Sequence, residues 1–424
     1  MTLVISELRG REILDSRGRP TVEAELALSD GTRVLASVPS GASTGKHEAV
    51  ELRDRDPARY RGRGVLGAVA AVSGEIAELV VGSAPEQRAT DDALRRLDGT
   101  PDKSRLGANA ILAVSLAVAR AGAATAGVPL WAHFAGGEGV TLPLPMVNIL
   151  SGGLHAGRQL DFQDFLIIPL GAETYTRALE MVVAVHAAAG SLLESRGLTT
   201  LKADEGGYGP PFANHREALR LLDEAVKDAG LRLGEDVVYA LDVAATHFFD
   251  EAEHGYLLRS EDRRLDAEEL TTYLGELADA HPIVSLEDPL AEDEWQAWTR
   301  LTDRLGDRLQ IVGDDLFTTN RERLDRGIAE RSANAILIKM NQIGTITETL
   351  DVVARARAAG FRTVISARSG ETEDTALADL AVGVCGGQIK IGSVTQTDRL
   401  AKYNQLLRIE QQLGDNAVLA RWPA

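Results

Sequence analysis

The sequence predicts an α/β protein in which a small α+β domain, residues 1–135, precedes a β/α barrel, residues 136–424. Three observations carry this expectation. First, six short apolar runs in the C-terminal half each end in an acid or a base: Asp242, Glu287, Asp314, Lys339, Arg368 and Lys390. These residues lie 45, 27, 25, 29 and 22 positions apart, and all but the first interval suit one buried strand plus one covering helix. Second, strand ends of such a barrel converge on one mouth, so three carboxylates, two lysines and an arginine would face a common point. Packing alone would not place so many charges there. Third, the segment from Val4 to Val38 follows a different rule, alternating apolar and polar residues.

That alternation is interrupted at Asp15-Ser16-Arg17-Gly18 and at Ser29-Asp30-Gly31, which makes it an antiparallel meander. Three helical patterns follow, Ala68–Val81, Ala89–Asp98 and Ala108–Ala126, rich in alanine and leucine with apolar spacing suited to packing on a sheet. The stretch GGEGVTLPLP then has the Gly and Pro density of a linker. Beyond it β and α patterns alternate to the C-terminus.

A length of 424 residues suits two domains, and 44% hydrophobic with 25% charged residues is ordinary for a soluble globular protein. The net charge of −18 and pI near 5.0 argue against a nucleic-acid or anionic-membrane partner, since either would be repelled over most of the surface. An anionic ligand therefore needs local positive charge. The single cysteine, Cys385, can form no intrachain disulfide, and charges interrupt the N-terminal MTLVISELRGREI where a signal peptide needs an apolar core. No apolar run approaches the roughly 20 residues that span a bilayer. The expected location is the cytoplasm.

The motifs VPSGASTGKHEA (38–49), LDGTPDKSRLGANAILAVSLA (97–117), DEGGYGP (204–210), SLEDP (285–289), GDDLF (313–317), IKMNQIGT (338–345), SGETEDT (369–375) and KYNQLLRIE (402–410) resemble signatures of the enolase family. They are spread over essentially the whole chain. The resemblance implies an enolase-type modified (β/α)8 barrel whose first strands depart from simple βα order, with an N-terminal α+β capping domain. It also implies two Mg²⁺ ions per active site, a small anionic substrate of the phosphoglycerate type, and a homodimer or larger assembly of dimers.

Removing a proton beside a carboxylate creates a dianionic enolate, which only fixed cations can stabilise. Asp242, Glu287 and Asp314 make an all-oxygen set suited to Mg²⁺; any one alone would be a rim salt bridge, but three converging strand ends suit a metal. Lys339, beside them, is expected to have its pKa lowered by nearby lysine and metal charge and to act as the base. By resemblance, Lys390 holds the substrate carboxylate or enolate, Glu205 is the acid on the opposite face, and Arg368 with Ser369 binds phosphate through a planar guanidinium. The segment Gly41–Gly45 resembles a mobile closing loop, with Ala42 beside the substrate and Ser43 completing the second Mg²⁺ site. His155, in GGLHAG, resembles a histidine on a second closing loop.

Several positions depart from the family pattern. A histidine before Arg-Ser-Gly-Glu-Thr is replaced by Ala367, and a glycine before Asp-Glu-Gly-Gly by Ala203. In Asp161-Phe162-Gln163-Asp164-Phe165, Gln163 is kept as a substrate-binding candidate, while Asp164 stands one methylene short of the family's glutamate near the leaving hydroxyl. Arg158 is a new cation in the His155 loop. Because the hydroxyl side changes while metal ligands, Lys339, Lys390 and the phosphate pair remain, these departures favour a specialised enzyme resembling carboxyphosphonoenolpyruvate synthase. It would join CMP-activated phosphonoformate to a phosphoglycerate-derived unit, using Arg158 and the space at Ala367. The alternatives are an ordinary enolase, interconverting 2-phosphoglycerate and phosphoenolpyruvate, and a non-catalytic binding protein on the same fold.

Overall fold

The computed structural model describes residues 3–42 and 44–422. Its N-terminal sheet is the expected meander, with β1 (Ile5–Leu14), β2 (Pro20–Leu28) and β3 (Arg33–Ser37) antiparallel in that order. The first turn is set locally, because one Asp15 carboxylate oxygen accepts from the backbone N–H groups of Arg17 and Arg19 at 2.8 and 2.9 Å. Val22, Ala24 and Leu26 of β2 are fully buried, and the helix Ala108–Ala126 packs on this sheet, ending at Gly127 in the left-handed region. The first expected helix is broken: Leu66–Ala71 and Ala77–Val80 flank a π-type turn, with Gly74 outside helical geometry.

Two helices, Ala108–Ala126 and Tyr175–Ser195, are long and apolar enough to cross a membrane, which corrects the expectation that no such run exists. Their apolarity serves packing in this fold, since 78% and 44% of the respective apolar windows are buried inside the protein.

The second unit is a closed eight-stranded barrel. It contains β4 (Leu144–Ser151), β5 (Asp164–Ile168) and β6 (Val238–Asp242). Then β7 (Phe249–Asp250), β8 (Gly255–Leu258) and β9 (Arg263–Leu265) form a separate antiparallel sheet. The barrel resumes with β10 (Ile283–Glu287), β11 (Gln310–Gly313), β12 (Ala335–Ile338), β13 (Arg362–Ser366) and β14 (Gln388–Gly392). The circuit runs β10-β11-β12-β13-β14-β4-β5-β6. The inserted β7–β9 sheet explains the long first interval between Asp242 and Glu287. The putting of Leu144 and Pro145 into β4 shortens the linker expected from the Gly and Pro density.

Strand direction decides which residues reach the mouth. All neighbours are parallel except β4–β5 and β5–β6, so β5 runs against the rest and delivers its first residue there. Asp164 accordingly pairs in register with Ser151 at the end of β4 and Asp242 at the end of β6. Deeper inside, Gln310 and Gln388 exchange side-chain hydrogen bonds of 2.9 Å, which satisfies both buried amides.

Beside the end of β11, the fully buried Phe317 ring fills a slot cut by two glycines. A Cβ on Gly327 would lie 2.3 Å from that ring, and one on Gly313 2.6 Å from it. We expect Phe317→Ala to cost about 3–5 kcal/mol in urea unfolding. Gly327→Ala is also expected to destabilise, and adding Phe317→Leu should recover part of that loss, a coupling that unrelated sites would not show.

Candidate active site

Lys390 stands at the centre of the mouth. Its ammonium donates to Asp242 Oδ2 and to Glu287 Oε2, each at 2.7 Å, with all three residues buried. In the circuit β14 lies four places from β10, so the contact with Glu287 crosses the barrel. Burial lowers the Lys390 pKa, but Asp242, Glu287, Asp164 and Glu205 outweigh it and hold the amine well above its ordinary range. Glu287 is pushed well above the usual carboxylate range, first by burial and then by Asp242. Gln163 also donates to Asp242 Oδ2, at 3.0 Å.

Lys339, just beyond β12, donates to Asp314 Oδ2 at 2.5 Å. The other Asp314 oxygen accepts from Gln342 Nε2 at 2.8 Å, and Gln342 is fixed in turn by Thr319 Oγ1 at 2.7 Å. The lowering expected for Lys339 counted metal charge beside lysine charge, and the protein groups taken alone balance differently. Burial, Arg368 and Lys390 do pull it down, but Asp314 and Glu287 pull harder, and the net direction is upward. Protein charges alone therefore keep Lys339 protonated.

The antiparallel side of the mouth carries a different group. His155 Nδ1 lies 3.2 Å from Asp164 Oδ2, and its Nε2 lies 3.7 Å from Glu205 Oε1. Asp164 Oδ1 is further held by Asn148 Nδ2 at 2.5 Å and Ser151 Oγ at 3.0 Å, partners that the sequence reading did not single out. Burial lowers the His155 pKa, yet Asp164 and Glu205 raise it more, to about 9. Asp164 is raised, by burial before all else; for Glu205 burial raises, but His155 and nearby cations win and lower it. Glu205, the acid expected by resemblance, thus shares this side of the mouth with His155 and Asp164. Glu205 reaches the site through a tight turn with Gly206 at φ 89, and its carbonyl accepts from Ser393 N at 2.8 Å. A Cβ on Gly392 would lie 2.9 Å from that carbonyl oxygen, so this approach needs glycine.

Arg368 and Ser369 lie together at the mouth. The buried Arg368 guanidinium grips Glu48 at 2.9 and 3.1 Å and Asn341 Oδ1 at 2.8 Å, while Ser369 Oγ accepts from Arg17 Nη1 at 3.1 Å and Ala42 N at 2.8 Å. The Ala42 N–H is therefore directed at Ser369. Ser43, the expected second metal ligand, lies outside the described residues. Glu48 and Arg17 join the site unforeseen. Arg158 lines a cavity between its own loop and the β7–β9 sheet.

The oxygen donors suit a hard cation such as Mg²⁺, and Glu287 Oε1 is buried without a hydrogen-bond partner, a lone pair still open to a ligand. Among the described residues, the acid clusters with ligand atoms within 4.8 Å of one another are His155–Asp164–Glu205 and Asp288–Asp314–Asp315. The expected trio meets differently, with Asp242 and Glu287 joined through Lys390 and Asp314 joined to Lys339. Asp288 is engaged with backbone, its oxygens accepting from Asp314 N and Asp315 N at 2.9 and 2.8 Å.

Residues 5–134 match the family described as "Enolase, N-terminal domain", and residues 139–422 match "Enolase, C-terminal TIM barrel domain". The chain belongs to the enolase family. It is also 55% identical over 418 residues to a protein named Enolase from Mycobacteroides abscessus, an alignment covering 98% of this chain and 96% of that one. Likeness of this extent favours the ordinary enolase alternative over the carboxyphosphonoenolpyruvate synthase reading, for which the comparisons offer no support.

Lys390→Met would leave two enolase-site carboxylates buried without their cation, and we expect it to lower stability by about 3–5 kcal/mol near pH 8. Glu287 has a folded pKa above its unfolded value, so its protonated form is the favoured buried one; that stabilisation is present at low pH and lost as pH rises through the folded pKa. The deficit of the variant should accordingly shrink as pH falls, and millimolar Mg²⁺ should raise its Tm more than that of the parent.

Proposed function

We propose that this protein is an enolase in the ordinary sense, a Mg²⁺-dependent hydro-lyase that interconverts 2-phosphoglycerate and phosphoenolpyruvate. One observation carries the reading. Lys339 follows β12, and Asp164, which holds His155, begins β5; the two strands are four places apart in a circuit of eight, so the two proton-handling groups face each other across the mouth. An anti-type removal of a proton and a hydroxyl from adjacent carbons needs that opposition.

In this mechanism the substrate carboxylate lies against Lys390 and its phosphate against Arg368 and Ser369. Lys339 accepts the proton from C2, the C–H electron pair is delocalised onto the carboxylate as the enolate, and its return forms the C2–C3 double bond as the C3–O bond breaks. The departing hydroxide takes a proton from the His155–Asp164–Glu205 group and leaves as water. Asp242, Glu287 and Asp314 would hold Mg²⁺, which supplies positive charge to the enolate. Engaging Asp314 elsewhere would also withdraw the carboxylate that keeps Lys339 protonated, freeing it to act as a base.

The hydroxyl side remains equipped despite the substitutions there. Asp164, one methylene short of the family residue, still reaches His155 at 3.2 Å, and the His155 pKa of about 9 keeps a proton available at neutral pH. That supports hydro-lyase chemistry even with Ala367 in place of the family histidine. A cytoplasmic homodimer, or a larger assembly of dimers, belongs to the same proposal.

Phosphorus NMR of the protein with Mg²⁺ and 2-phosphoglycerate should show phosphoenolpyruvate forming with no second substrate, and EDTA should stop it. A strict requirement for CMP-activated phosphonoformate would sink this reading. Single substitutions should separate the two halves of the site. His155→Asn should lower kcat by about 10²–10⁴-fold yet retain exchange of the C2 proton with D₂O, whereas Lys339→Met should lose both.

A further inference from the structure

A cavity of about 400 Å³ opens between the loop that carries His155 and the β7–β9 sheet. Its walls include Leu154, Phe248 and Phe249, with Arg158 and Arg259 at the exposed rim and His247 at the inner side. Three acids also border it, but each is already engaged. Asp161 accepts from Arg259 N, Ser260 N and Ser260 Oγ at 2.9, 3.1 and 2.5 Å. Asp250 accepts from the N–H groups of Ala252 and Glu253 and lies 3.5 Å from Arg264, and Glu251 pairs with Lys46 at 2.6 Å.

The cations are in the opposite condition. Among the described residues neither the Arg158 nor the Arg259 guanidinium has an ion-pair or hydrogen-bond partner, and His247 Nδ1 is buried with none. Arg158 is moreover held at φ 60, a backbone region that disfavours residues with a Cβ. In a protein of net charge −18, a cavity that offers two unengaged guanidiniums beside aromatic walls, with its acids turned to other partners, suits an anion held between those guanidiniums.

We propose that this cavity, beside the barrel mouth, is a second ligand site for a small organic anion that pairs a phosphate or carboxylate with an apolar or planar body. The anionic group meets Arg158 and Arg259, and the body lies against Phe248, Phe249 and Leu154. The Arg158 N–H donates to Gly153 O at 2.7 Å, so an occupant touches the same compact loop that carries His155. Any effect on turnover rests on the proposed function, whereas binding does not.

Phenyl phosphate is a suitable probe, followed on the full-length protein by saturation-transfer and phosphorus NMR, with inorganic phosphate as the comparison. We expect saturable binding of phenyl phosphate that weakens at least tenfold in Arg259→Ala, survives in Arg259→Lys and is blocked in Leu257→Trp, which fills the cavity. Inorganic phosphate should bind at least tenfold more weakly than phenyl phosphate. The proposal is overturned by no saturable binding, by binding indifferent to Arg259→Ala and Leu257→Trp, or by inorganic phosphate binding equally well. Turnover of 2-phosphoglycerate measured on the same samples should be near normal in Arg259→Ala. Its absence in every sample, with probe binding intact, would count against the proposed enolase reaction alone.

Discussion

The ammonium of Lys390, shared between Asp242 and Glu287 on the barrel axis, is the contact on which the mouth depends. Two carboxylates from neighbouring strands point at one spot, and β6 and β10 pair with those two residues in register. Without a cation between them the pair would be still harder to bury, and even beside it Glu287 is pushed well above the usual carboxylate range. An ion group of this kind gives little net stability over an apolar plug of equal volume. Such a group is suited to a place where charge is needed at the axis, as the proposed enolate chemistry would require.

Around that amine the site divides into two proton environments. On the parallel side Asp314 keeps Lys339 charged, and Gln342 and Thr319 hold Asp314 in place. On the antiparallel side His155 is raised to about 9 between Asp164 and Glu205. The division follows from topology, because reversing β5 brings the start of that strand, with Gln163 and Asp164, to a rim otherwise made of strand ends.

Much of the architecture was legible before any coordinates. The six charged strand ends and their spacing gave β6 and β10–β14, and the turn residues gave the meander. The missing barrel strands, β4 and β5, were hidden because neither shows an apolar run closed by a charge. Within the site, Glu48, Arg17, Asn148 and Gln342 were not singled out, since each becomes functional in context only through a partner more than ten positions away in the chain. The Asp314 contact that raises the Lys339 pKa was hidden for a related reason, since spacing does not reveal it.

What the sequence determined by itself is therefore the inventory: which acids and bases stand at strand ends, and that the motifs are those of an enolase. Periodicity and turn chemistry are local, and they survive translation into one dimension. Tertiary structure alone decided the pairings, the direction of each pKa shift and the place of Arg158, which lines a cavity between its own loop and the β7–β9 sheet. Those outcomes arise from distances of a few ångströms between residues far apart in the chain, at a burial where electrostatics changes sharply with each ångström.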